Sequence, residues 1–134
     1  MKDAFSHFKL DDKIMKSIKE LGFKKPTPIQ SKVIPHLLFS NQDLIATAQT
    51  GTGKTAAFGL PLLQLTDTNS NKIQTLILCP TRELCLQIGK DLSTYSKYLK
   101  NINTISVYGG AKIDKQIRSL KKRTTDNCWY TRTY

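Results

Sequence analysis

The stretch "DLIATAQTGTGKTAAFGLPLLQL", residues 43 to 65, most constrains what this chain can fold into. An apolar run of strand length runs into a glycine-rich corner, and an apolar stretch of helix length leaves it. The corner "AQTGTGKT", residues 48 to 55, fits the pattern G-x-x-x-x-G-K-S/T with Ala48 in the first glycine position. Gly51, Gly53, Lys54 and Thr55 are expected at a strand-to-helix junction, the context in which the pattern has a mechanism. There Gly51 and Gly53 let the backbone curl with positive φ so that successive N–H groups converge, and the helix N-terminus adds partial positive charge. Lys54 would reach the β and γ phosphates of a nucleotide, and the Thr55 hydroxyl would hold Mg²⁺. The alternative is a Gly/Thr-rich turn with no ligand. On its own the loop implies a nucleoside triphosphate and leaves the work performed open.

The rest of the chain reads as alternating strands and helices. "DDKIMKSIKEL", residues 11 to 21, puts Ile14, Met15, Ile18 and Leu21 on one helical face, with Asp11 or Asp12 as cap and Gly22 as stop. Pro26 and Pro28 force an extended turn, and a second helix carries Ile29, Val33, Leu37 and Leu38, with Pro35 expected to kink it. "DLIATA" (43 to 48) and "TLILCP" (75 to 80) are expected strands, and "NTISVYGG" (103 to 110) the third strand and its turn. Helices are expected through about Leu65, over 82 to 98 with Leu84, Ile88, Leu92, Tyr95 and Leu99 on one face, and over the basic "KIDKQIRSLKK". This order implies parallel crossovers and an α/β layered sheet with right-handed connections. A chain of 134 residues makes one domain at most.

Charge and cysteines bound the class. The chain carries 21 basic and 10 acidic residues, a net charge of +11, and residues 90 to 134 hold ten basic against three acidic groups. A polyanionic partner fits this balance, as does a solvated lysine-rich face. Cys79, Cys85 and Cys128 form no CxxC pair and no His-containing metal spacing, which points away from a disulfide framework or zinc site. With no apolar run of signal-peptide or membrane-span length, the chain reads as cytoplasmic, with no membrane partner.

Several stretches together resemble the DEAD-box ATP-dependent RNA helicases, over about residues 5 to 126. "GFKKPTPIQ", residues 22 to 30, resembles that family's Q motif, with Phe5 at the usual upstream spacing. "AQTGTGKT" matches its variant of the phosphate loop, Ala48 included. "PTRELCLQ", residues 80 to 87, resembles motif Ia, and Gly109–Gly110 the double-glycine turn. The resemblance implies a RecA-like, parallel-sheet P-loop NTPase fold, here incomplete. It divides the chain into a Q-motif helical region (1 to 40), a partial ATP-binding domain (41 to 126) and an aberrant tail (127 to 134). It further implies ATP and Mg²⁺ as cofactors and RNA as partner; nothing in the chain singles out a partner protein.

By that resemblance Phe5, Phe23, Thr27 and Gln30 belong to the adenine side of the ATP site. Ala48, Gln49, Thr50, Gly51, Thr52, Gly53, Lys54 and Thr55 belong to its phosphate side, with Lys54 and Thr55 catalytic. The chemistry agrees: a Gln30 amide can donate and accept in parallel against adenine N6 and N7, and Phe23 offers a stacking face. Taken alone, Phe23 reads as well as a hydrophobic staple and Gln30 as a solvated helix position. Pro80, Thr81, Arg82 and Glu83, with Gly109 and Gly110, would touch RNA phosphates without reading bases. Arg82 and Glu83 read equally as a structural ion pair. His7 and His36 are assigned no catalytic role.

No Asp-Glu-Ala-Asp run, Ser-Ala-Thr motif or second RecA-like domain occurs in the sequence, so the 134 residues are expected not to hydrolyse ATP. The ending "TTDNCWYTRTY" shows no helix period, strand alternation or cap. Where the family continues with a buried strand and Thr-Pro-Gly-Arg, this chain reads "NCWYTRTY". Written as AAT TGT TGG TAC ACC AGG ACG TAT and read from the second base, those codons give Ile-Val-Gly-Thr-Pro-Gly-Arg. A one-base insertion near the Asp126 codon, or a sequencing error, is therefore expected; a divergent natural terminus is the alternative. The competing functional classes are a noncatalytic ATP- or RNA-binding remnant and another phosphate-loop enzyme such as a small-molecule kinase.

Overall fold

Asp11 starts the first helix by accepting the Lys13 N–H at 2.7 Å, which satisfies one of the donors a helix start leaves open. The computed structural model describes residues 4–70, 72–122 and 127–133, the last seven and Lys122 by backbone alone. In its first compact unit, residues 1–65 with 95–98, α1 (Asp12–Glu20) buries Ile14, Met15 and Ile18. Leu21, expected on the same face, is exposed, because the chain turns out of the helix there. Gly22, at φ +78°, takes the left-handed conformation. Its N–H bonds the Lys19 carbonyl and the Phe23 N–H bonds that of Ile18, a Schellman ending that the glycine makes cheap.

α2 (Pro28–Phe39) is started by Thr27, with Pro28 where a missing N–H costs nothing, and it retains Pro35 inside. It buries Val33 and Ile34, while Ile29, Leu37 and Leu38 are half-buried. α3 (Lys54–Leu65) buries Ala56, Ala57, Leu60, Pro61 and Leu63 and packs along α2, as a helix apolar on most sides must. Phe5 and Phe8 are buried ahead of α1 with ring centroids 5.8 Å apart, edge to face.

The expected strand over 43 to 48 is absent. This segment has irregular backbone, with Leu44 39% and Ile45 96% exposed. A buried parallel strand is held by ladders to its neighbours and by cover on its faces. Residues 43 to 48 have no pairing partner among the described residues, so the apolar run alone does not make a strand.

The second compact unit comprises residues 66–94 and 99–134. Its parallel sheet has three strands, β1 (Thr75–Cys79), β2 (Ile102–Val107) and β3 (Asn127–Thr133), in the order β1-β3-β2. Trp129 pairs in register with Thr75 on one side and with Thr104 on the other. The segment without legible alternation is thus the central strand. A strand laddered on both sides takes its hydrogen bonds from backbone, and Cys128-Trp129-Tyr130-Thr131 is rich in residues that favour extended backbone. β1 shows only one covered face: Leu76 and Leu78 are 60% and 49% exposed, while Cys79 is buried. α4 (Arg82–Tyr95) and α5 (Ile113–Lys122) complete the unit. Gly89 of α4 lies so close to Ser106 of β2 that a Cβ there would overlap the Ser106 hydroxyl.

Candidate functional site

In the first unit two of the candidate ATP residues, Thr27 and Gln30, reach the loop before α3. Thr27 and Gln30 form a capping box: the Thr27 hydroxyl accepts the Gln30 N–H, and Gln30 Oε1 accepts the Thr27 N–H at 3.0 Å. Both side chains then reach the loop. Thr27 Oγ1 donates to the Thr52 carbonyl at 2.8 Å, and Gln30 Nε2 donates to the Gly53 carbonyl at 3.1 Å. Gln30 is 3% exposed, so the alternative of a solvated helix position does not hold. One Nε2 hydrogen and one Oε1 lone pair remain beyond these bonds, the pair that parallel recognition of a purine edge uses.

Gly51 and Gly53 have φ +77° and +81°, the curl expected of the loop. Thr52 Oγ1 donates to the Gln49 carbonyl at 2.7 Å, tightening the curve. Lys54 Nζ donates to the carbonyls of Ala48 and Gln49 at 2.6 and 2.5 Å, which holds the amine at the loop's mouth. Thr50 is exposed, and Thr55 is half-buried at the second position of α3. The first turn of α3 carries no acidic residue, so none of its own side chains offsets the partial positive charge of its N–H groups. The donor set fits an anion such as a polyphosphate.

Phe23 is half-buried, with its ring centroid 6.1 Å from that of the buried Phe5 and 6.1 Å from that of Tyr95. It belongs to an aromatic cluster rather than to a staple at the start of α2. His36 Nε2 lies 3.1 Å from the Gln42 carbonyl, a local contact.

The second unit brings the candidate RNA residues together. Pro80, Thr81, Arg82 and Glu83 are all exposed after β1. Thr81 Oγ1 accepts the Leu84 N–H at 3.2 Å, so the hydroxyl acts as the α4 cap. Arg82 and Glu83 form no ion pair among the described residues. The guanidinium of Arg82 instead lies over the Tyr108 ring, 4.8 Å from its centroid. Gly109 and Gly110 are exposed, and Gly110, at φ +83°, is close enough that an added Cβ would lie 3.8 Å from an Arg82 nitrogen. Tyr108, the link between these two elements, was not among the sequence-expected residues.

Cys79 and Cys85 are buried thiols that form no disulfide among the described residues, and burial raises the Cys79 pKa. Elsewhere, Lys97 and Tyr98 both hydrogen-bond Glu20, with Lys97 Nζ at 2.7 Å. The Lys97 bond first and the Tyr98 bond second hold the Glu20 carboxyl below its ordinary value.

The parallel sheet of the second unit and the Gly-Lys-Thr loop at the start of α3 in the first are parts of a mixed α/β fold of the RecA-like, phosphate-loop kind, present here in part. A family model for DEAD/DEAH box helicases matches residues 27–133, and the chain belongs to that family. The ATP-dependent RNA helicase CshA of Listeria monocytogenes is 54% identical over 118 residues, covering 88% of this chain and 22% of that protein. The ATP-dependent RNA helicase DeaD of Escherichia coli is 43% identical over 119 residues, 89% of this chain and 19% of that protein. The chain therefore spans about a fifth of the length of these relatives. Among solved structures, a DEAD box protein from Methanococcus jannaschii matches with TM-score 0.80 and 40% identity, over 92% of this chain and 32% of that one. The RNA-helicase Prp28 from Chaetomium thermophilum bound to ADP matches with TM-score 0.81 and 32% identity, over 98% of this chain and 32% of that one.

Proposed function

We propose that this chain is a nucleotide- and RNA-binding part of an ATP-dependent RNA helicase that couples ATP to local duplex separation. The observation that carries the reading is the double clasp from Thr27 and Gln30 to the carbonyls of Thr52 and Gly53. It makes the amide that would read adenine and the loop that would hold phosphates a single body, so base identity and triphosphate grip are sensed together. Backbone N–H groups from Gln49 to Thr55 and the Lys54 ammonium would hold the triphosphate. Thr55 would hold Mg²⁺ against it, and Phe5 with Phe23 would back the base. When bound, the nucleotide and its metal supply the phosphoryl group and its charge neutralisation.

Residues 80–83 and 109–110 would contact RNA phosphates and sugars, since exposed backbone N–H groups at a helix start and a glycine turn carry no base code. The sequence has no Asp-Glu-Ala-Asp run, so binding without turnover is expected of these 134 residues. Titration with fluorescent ATP and GTP analogues in magnesium buffer tests the reading. Adenine is preferred, Gln30→Ala weakens that preference, and Lys54→Ala abolishes binding. Equal affinity for the two nucleotides would instead favour another phosphate-loop protein, and measurable RNA-stimulated hydrolysis would contradict the expected lack of turnover. The insertion reading of the tail is tested separately by the gene, whose shifted frame should run on to Asp-Glu-Ala-Asp.

A further inference from the structure

A polar side chain on the apolar face of α5 holds the double-glycine corner in place. Ile113, Gln116, Ile117 and Leu120 share that face, which with Val107 borders an open hollow of about 430 Å³. Gln116 turns its amide to the backbone that joins β2 to α5. Its Oε1 accepts the Tyr108 N–H at 3.0 Å, and its Nε2 donates to the carbonyls of Tyr108 at 3.1 Å and Ala111 at 3.3 Å. An amide that accepts from and donates to one residue does what a neighbouring strand's peptide group would do. The backbone is held at 108 and again at 111, so Gly109 and Gly110 between them have two fixed ends.

The same clasp reaches Arg82. The ring of Tyr108 carries the Arg82 guanidinium on its face. Fixing the Tyr108 backbone limits where that ring, and the cation above it, can stand. A surface that contacts phosphates without reading bases depends on such preset positions, because disorder in its donors is lost as affinity.

We propose that Gln116 is a positioning residue for RNA binding, its amide fixing the turn at 108–111 and, through Tyr108, the Arg82 guanidinium, so that single-stranded RNA meets a prearranged phosphate-binding surface. The inference rests on the RNA reading of residues 80–83 and 109–110 given above.

The test uses the 134-residue chain, a fluorescein-labelled oligouridylate read by anisotropy, and amide hydrogen exchange at Tyr108. Gln116→Met keeps side-chain length and apolar contact while removing all three hydrogen bonds, and Gln116→Asn keeps an amide of shorter reach. Each is expected to speed exchange of the Tyr108 N–H and to weaken RNA binding about tenfold, the scale of one hydrogen bond to a charged group. A merely structural role would add independently to the loss in Arg82→Ala. Action through Arg82 makes Gln116→Met with Arg82→Ala cost less than the product of the two single effects. Unchanged exchange, full RNA affinity in either soluble variant, or strict additivity with Arg82→Ala overturns the proposal. Absence of oligouridylate binding by the unsubstituted chain overturns the RNA reading itself, and the proposal falls with it.

Discussion

Gln30 Nε2 donates to the carbonyl oxygen of Gly53 at 3.1 Å, and an added Cβ on Gly53 would overlap that same nitrogen. Gly53 and Gly51 both have positive φ, yet a Cβ on Gly51 would meet nothing within 4 Å. The two glycines therefore separate backbone strain from loss of the clasp. Gly51→Ala is expected to cost about 1–2 kcal/mol, the strain of a left-handed alanine. Gly53→Ala should cost that plus about 1 kcal/mol for the displaced hydrogen bond, and should weaken ATP-analogue binding more. Equal losses for the two variants in chemical denaturation and nucleotide titration would contradict this account.

Gly89 and Ser106 set how closely α4 approaches β2. Alanine favours a helix interior by about 1 kcal/mol over glycine, so propensity alone says that Gly89→Ala stabilises. The overlap with the Ser106 hydroxyl reverses the sign, and a loss of about 1–3 kcal/mol is expected from overpacking. The Ser106 Cβ lies 3.7 Å from the added methyl, an ordinary contact, so removing only the hydroxyl relieves the overlap. Gly89→Ala with Ser106→Ala should therefore recover most of the loss in a double-mutant cycle, and purely additive effects would refute the steric explanation.

Legibility in the sequence followed the range of the interaction. Where a rule is local, the reading and the structure agree: Asp11 and Gly22 bound α1, and Gly51 and Gly53 curl the loop. Where the outcome depends on neighbours, they part. "DLIATA" has the composition of a covered parallel strand but no ladder partner among the described residues, and it stays irregular. "NCWYTRT" lacks an alternating pattern and is nonetheless the central strand, because a ladder on each side supplies what periodicity does not. Within the candidate sites, the curl at Gly51 and Gly53 is legible from the loop's own glycines. The Tyr108 ring beneath Arg82 is not, since it joins residues 26 positions apart. A signal for Gln116 does exist: a polar residue among Ile113, Ile117 and Leu120 on one helical face needs partners for its amide.

Glu20 provides a pH-dependent contribution of known sign. Hydrogen bonds from Lys97 first and Tyr98 second lower its folded-state pKa below the unfolded value. A depressed carboxyl stabilises the fold above the unfolded value, and that contribution is lost as pH falls through the lowered one. The group is solvent-exposed, so the effect is small and screened by salt. Glu20→Gln should lower stability slightly at neutral pH, the two chains should converge as pH falls through the lowered value, and added salt should shrink the neutral-pH difference. Identical denaturant midpoints for both chains at neutral pH would show that the contacts contribute nothing.

The last expectation concerns cooperativity. Ile45 is almost wholly exposed in a segment without strand pairing, and Leu76 and Leu78 of β1 stand uncovered on one face of the sheet. Apolar surface of this kind lies outside the cores whose joint loss makes unfolding all-or-none, and one edge of β1 has no strand partner among the described residues. The 134-residue chain should therefore unfold over a broad range, bind a hydrophobic dye at neutral pH, and aggregate as concentration rises. Replacing Leu76 and Leu78 by threonine removes exposed apolar surface while keeping strand preference, and should reduce dye binding and aggregation without narrowing the transition. A sharp thermal transition that coincides by circular dichroism and fluorescence would contradict the argument, because it would require these uncovered faces to be part of one closed cooperative core.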